Sequence, residues 1–68
     1  MDGSPEARMA NDIAIQFRLL PDRLGAEAVA GHINRFWEPR MRARLLQQIA
    51  TGTTGLDPLV VAAAGLVR

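Results

Sequence analysis

Phe36-Trp37-Glu38-Pro39-Arg40-Met41-Arg42-Ala43-Arg44 is the stretch on which the fold turns. Glu38 precedes a proline, which pushes its backbone out of the helical region and into an extended one. Pro39, with its fixed φ and missing N–H, suits the first position of a new helix. The stretch therefore predicts one helix ending near Phe36, a corner of two residues, and a second helix starting at Pro39. Behind the corner, Leu24, Ala28, Val29, Ile33 and Phe36 recur at three- and four-residue spacing, the signature of one helical face. Ahead of it, Met41, Leu45 and Ile49 make an inner stripe with Leu46 alongside. These patterns place helices over 23–36 and 39–50, with Asp22 as the expected cap of the first.

The same punctuation extends outward in both directions. Ser4-Pro5-Glu6 offers a capping hydroxyl, a proline for the first turn and an acid for the positive end of the helix dipole. Met9, Ile13, Phe17 and Leu20 then form a stripe, Ile15 and Leu19 widen the apolar surface beyond it, and Pro21 closes a helix predicted over 5–20. Thr51-Gly52-Thr53-Thr54-Gly55 reads as a loop. Asp57-Pro58 repeats the cap-and-proline start, and an apolar, alanine-rich run to residue 66 makes a short last helix. No segment alternates with period two. The expected fold class is all-α: a small bundle of three helices plus a short C-terminal helix in a single domain, 1–68, with residues 1–4 flexible. Short links favour antiparallel neighbours. Gly25 and Gly31 weaken the second helix by roughly 1 kcal/mol each relative to alanine, and glycines so placed often admit the close approach of another backbone.

A chain of 68 residues without cysteine has few supports of its own. At this length only about 60% of the unfolded chain's surface is buried. A disulfide and a thiolate metal site are both ruled out. A permanent protein partner is a support that the composition leaves open. The net charge of +1 argues against a general nucleic-acid binder. The start of the chain is polar and acidic, unlike a signal peptide, and its longest apolar run falls far short of the roughly 20 residues that span a bilayer. A soluble, cytoplasmic protein is expected.

Chemistry of its own is not expected either. There is no cysteine and no lysine, Ser4 is the one serine, and the single histidine, His32, has no serine near it in sequence. The seven acids are most simply helix caps and solvated faces. No phosphate loop, dinucleotide glycine pattern or calcium loop is present. No catalytic, cofactor-binding or metal-binding residue is therefore assigned. His32, at the edge of the apolar stripe, reads as a partly buried histidine bonded to a carbonyl.

What remains is an interface reading. Trp, Phe, Met and Arg are enriched where proteins meet, and all eight basic residues here are arginine. The candidate partner surface comprises Trp37, Arg40, Arg44, Arg35, Met41, Ile15 and Leu19. Phe36 continues the helical stripe and is expected in the core. For Trp37, core and interface stand even. Arg40 and Arg44, four residues apart, share a face; Arg42 must point elsewhere.

The string Phe36-Trp37-Glu38-Pro39-Arg40-Met41-Arg42 resembles the signature of formate dehydrogenase delta subunits. Met9-Ala10-Asn11-Asp12-Ile13-Ala14, His32-Ile33 and Leu56-Asp57-Pro58-Leu59 resemble other parts of the same family, in order, so that the likeness runs from about Arg8 to Leu59. The resemblance implies a non-catalytic accessory subunit of a cytoplasmic complex that oxidises formate and reduces NAD. In such complexes the large alpha subunit carries a molybdenum or tungsten cofactor and iron–sulfur clusters, and other subunits carry flavin. The delta subunit holds none of these, in keeping with a chain that has no cysteine for a cluster. Its implied partner is the alpha subunit. Two other classes stay open: a small helical nucleic-acid-binding or regulatory module, and a bundle that pairs with its own copy through residues such as Ile15 and Leu19.

Overall fold

Three of the four helices begin at a proline. A computed structural model, which describes residues 4–52 and 54–68, contains α1 (Pro5–Gln16), α2 (Asp22–Phe36), α3 (Pro39–Ala50) and α4 (Pro58–Ala63), the last continued by a 3-10 turn, Ala64–Leu66. No strand occurs among the described residues, so the fold is all-α as expected. The flexibility anticipated for residues 1–4 falls, for 1–3, outside the described residues. Ser4 is tied in: its hydroxyl accepts the Ala7 N–H at 3.1 Å and donates to Gln48 Oε1 at 2.7 Å. Asp57 caps α4 in the same way, with Oδ1 accepting the Leu59 N–H at 2.9 Å.

Two helix ends differ from expectation. Asp22 does not cap α2; it is the first helical residue, and Pro21 sits at the cap with its carbonyl accepting the Gly25 N–H at 2.8 Å. The Asp22 carboxylate acts instead as an acid in the first turn, facing the positive end of the dipole. α1 ends at Gln16, a turn short of Leu20. The Phe17 N–H reaches back only to the Ala14 carbonyl (3.1 Å) and the Leu20 N–H only to Phe17 (3.2 Å). Leu20, held out of the helical region by Pro21, leaves residues 17–20 to reverse the chain in tight turns.

The core is built largely on alanine. Ala10, Ala14, Val29, Ile33, Leu45, Val60 and Ala63 are sealed from solvent, with Ile13, Ala26, Ala30 and Trp37 nearly so. The buried residues of α1 are thus Glu6, Ala7, Ala10, Ile13 and Ala14, and of the stripe of larger residues only Ile13 is among them. Met9, Leu20, Leu24 and Phe36, all expected inside, stand exposed. The reason is packing distance: α1 touches α2, α3 and α4, and alanines let several helices come close where larger side chains would hold them apart.

α2 packs chiefly on α4, whereas α2 and α3, although consecutive, do not lie side by side. This corrects the antiparallel pairing expected from the short link. Trp37 (φ −88°, ψ 142°) and Glu38 (φ −67°, ψ 152°) are both extended, so the corner carries α3 away from α2 and onto α1. The close approach expected at glycine holds at Gly25: a Cβ there would lie 3.1 Å from Leu59 Cδ1 and 3.2 Å from the Phe17 carbonyl oxygen. At Gly31 it does not, since nothing lies within 4 Å.

Candidate partner interface

The corner stretch divides into an inside and an outside. Trp37 is 6% exposed and belongs to the core. The even choice between core and interface resolves to core, and Trp37 leaves the set of side chains that a partner can touch. Its extended backbone turns the indole back beneath the helices. Its carbonyl accepts from Arg42 Nη1 at 2.6 Å, while Arg42 Nε donates to the Arg68 carbonyl at 3.1 Å. Arg42 therefore points away from Arg40 and Arg44, as helical spacing requires, and it fastens the corner to the C-terminal segment.

Phe36 is 67% exposed, against the expectation that it would fill the core. At the last position of α2 it falls beyond the buried face formed by Gly25, Ala26, Val29, Ala30 and Ile33. Its ring lies beside that of His32, with centroids 4.8 Å apart. His32 is half-buried, and among the described residues it makes no hydrogen bond to a carbonyl; aromatic packing takes that place.

Arg40, Met41 and Arg44 share a shallow groove with Glu38 and Pro39 at the start of α3. Arg44 is partly committed, 3.6 Å from the Glu6 carboxylate. The Glu6 carboxyl is held below its usual value, first by its own backbone N–H, then by the Ser4 hydroxyl, the Arg44 charge and Gln48; partial burial works the other way. Arg40 is exposed and makes no ion pair among the described residues. Arg35 is likewise exposed and unpaired among them, in a second groove with Phe17, Ala28, Gly31, His32 and Phe36. Ile15 is 55% exposed and Leu19 fully so; neither lines these two grooves. The candidate residues thus do not converge on one patch.

Three polar side chains that sequence reasoning passed over fasten the C-terminal third. Asn11 donates to the Gly55 carbonyl and accepts the Asp57 N–H, both at 2.8 Å. Asn34 donates to the Leu66 carbonyl at 2.9 Å and accepts the Arg68 N–H at 2.8 Å. Each amide completes a pair of backbone bonds as a strand neighbour would. Arg18 bridges to Asp57 at 2.8 Å, and that contact, with the Leu59 N–H, holds the Asp57 carboxyl below its usual value. Asn11 lies inside one of the quoted family-like strings, but nothing in its local spacing marks it as a clamp.

Among the described residues no cluster of three or more His, Asp or Glu side chains could hold a metal ion, and no helix is long and apolar enough to cross a membrane. A family profile for the NADH-dependent formate dehydrogenase delta subunit, FdsD, matches residues 7–64. The chain belongs to this family. The match runs from the first turn of α1 into the 3-10 turn after α4, so α2, α3 and α4 of this delta subunit lie within it whole and α1 does but for Pro5 and Glu6. No curated protein matches the chain. A delta subunit of a formate dehydrogenase implies a multi-subunit complex.

Proposed function

We propose that this delta subunit is a non-catalytic accessory chain of a cytoplasmic NAD-dependent formate dehydrogenase. It binds the large molybdenum- or tungsten-bearing subunit and supports assembly, cofactor retention or stability. Beside the family match, one observation supports this reading: where the large apolar side chains lie. Met9, Ile15, Leu19, Leu20, Leu24, Phe36, Val61 and Leu66 are all at least 42% exposed, while the largest fully buried side chains are only Ile33, Leu45, Val29 and Val60. A chain with this many large apolar groups in water and so small an interior gains stability from a binding partner. Ile15, Leu19, Arg35, Arg40, Met41 and Arg44 are the candidate residues left accessible, wholly or in part, to supply the contact.

The nucleic-acid reading is weaker. Of the clustered arginines, Arg42 is spent on two carbonyls and Arg44 faces Glu6, so no single basic face remains to track a phosphate backbone. The test is affinity purification of the tagged chain from its native cells, with mass spectrometry of what co-elutes. The large subunit should appear in stoichiometric amount, and formate-dependent NAD reduction should follow the complex and be absent from the chain alone. Recovery of the chain by itself, or turnover by the purified chain, would overturn the proposal.

A further inference from the structure

α4 is six residues long, too short to persist as a helix by itself, so the rest of the chain must hold it in place. It does so with little apolar burial. From Asp57 to Arg68 the side chains sealed inside are Val60 and Ala63, both small, while Leu59 and Val67 lie half-buried against the core. The first three helices bring the larger share: Ile13, Val29, Ile33 and Leu45, with Trp37 at the corner. The segment lies along α2 from Gly25, where Leu59 fills the notch, to Asn34, which grips Leu66 and Arg68.

The rest of the grip is polar and sits mostly at the surface. Asn11 takes the Gly55 carbonyl and the Asp57 N–H, Arg18 the Asp57 carboxylate, and Arg42 Nε the Arg68 carbonyl; of these contacts and those of Asn34, all but the Asn11–Asp57 bond are exposed. Exposed hydrogen bonds and ion pairs compete with water, and each contributes little. α1 and α3 are joined separately, by the Ser4–Gln48 bond and the Glu6–Arg44 pair. Small apolar burial together with exposed hydrogen bonds marks a segment whose opening costs less than global unfolding.

We infer that residues 57–68 form a strap that opens as one unit while α1 stays packed on α2 and α3. Opening lifts Leu59 from the notch at Gly25 and Val60 and Ala63 from the interior, and it bares the side of α2 along which the strap lies. The Asn11, Arg18, Asn34 and Arg42 contacts to the strap are lost together, whereas the Ser4–Gln48 and Glu6–Arg44 contacts are kept. The opening belongs to the chain itself and needs no partner.

Native-state hydrogen exchange of the full chain, read residue by residue by NMR, tests this. Relative to intrinsic rates, the Val61 amide, bonded to the Asp57 carbonyl, should exchange at least about ten-fold faster than the Ile33 and Leu45 amides. Asn34→Ala acts at the far end of the strap, yet it should speed Val61 exchange by about five-fold, the loss of a typical hydrogen bond, and Asn11→Ala should do so too. Ser4→Ala breaks a contact that the open form keeps. It should speed Leu45 exchange by about five-fold and leave Val61 unchanged, and Gln48→Ala, which cuts the same bond without touching the α1 cap, should behave alike. If the wild type exchanges equally at all three amides, or if Ser4→Ala and Gln48→Ala speed Val61 as much as Leu45, the chain opens only as a whole and the strap is overturned. If Asn34→Ala leaves Val61 unchanged, the segment frays from its end and does not open as a unit, which overturns the strap as well.

Discussion

The two faces of α2 are built from the same helix and differ in whether the chain itself provides their complement. On the inner face Gly25, Ala26, Val29, Ala30 and Ile33 are closed by α1 and α4. Away from it Leu24, Gly31 and Phe36 remain in water, with the charged Arg35 among them. Phe36 and Trp37 repeat the contrast at the helix end: neighbours in sequence, one 67% and the other 6% exposed. Apolar character therefore marks a surface that seeks cover, and geometry decides whether the cover comes from within the chain or from outside it.

The contrast is tested most severely at the aromatic pair. Trp37→Ala removes a buried indole and should destabilise the fold by about 3–5 kcal/mol, enough to abolish a cooperative thermal transition in a domain this small. Phe36→Ala should leave the melting temperature nearly unchanged, because its ring is already in solvent. Equal losses from the two would erase the distinction between the faces. Asn11→Leu comes next. It leaves the Asp57 N–H and the Gly55 carbonyl without their partner, and a loss of about 1–3 kcal/mol is expected in urea unfolding.

The two glycines give a smaller, signed difference. Gly31→Ala should stabilise the free chain by up to about 1 kcal/mol through helix propensity. Gly25→Ala carries the same gain but must push against the Phe17 backbone carbonyl at 3.2 Å, so it should melt below Gly31→Ala; the reverse order would mean that the inner notch is slack. The smallest effect is acidic. Glu6 and Asp57 both titrate below their ordinary values of 4.5 and 3.8, so the unfolded chain takes up their protons first. Their contribution is complete above those values and is lost as pH falls through the lowered native ones. The melting temperature should drop as pH falls below 4.5, with a shallower slope in Asp57→Asn.

Helix starts were legible in the sequence because proline and a capping side chain act within one turn. Ser4-Pro5, Glu38-Pro39 and Asp57-Pro58 each begin a helix where the local chemistry says one should. The end of α1 was not legible, since the turn at residues 17–20 depends on where α2 must go. Nor was the buried face of α1: large residues dominate a periodicity reading, whereas Ala7, Ala10 and Ala14 are inside because several helices converge there. In the candidate interface Arg35 and Arg40 could be read from composition and spacing, and both are accessible. Trp37 could not be placed because its position depends on two extended residues and on the Arg42 bond to its carbonyl. The clamps of Asn11 and Asn34 join residues more than 30 positions apart, and no local pattern announces such a pairing.

The smallest helix has a consequence for how the protein comes into being. α4 supplies Val60 and Ala63 to the sealed interior and Leu59 to the notch at Gly25, and the turn that leads into it supplies the Gly55 and Asp57 backbone groups that Asn11 grips. All of these follow α1, α2 and α3 in the chain. During synthesis, then, the first three helices can coil as they leave the ribosome but cannot finish a core until the last short segment is free to join them. Until that moment the nascent chain shows both faces of α2 to its surroundings, and whatever meets it there meets an unfastened bundle rather than a finished one.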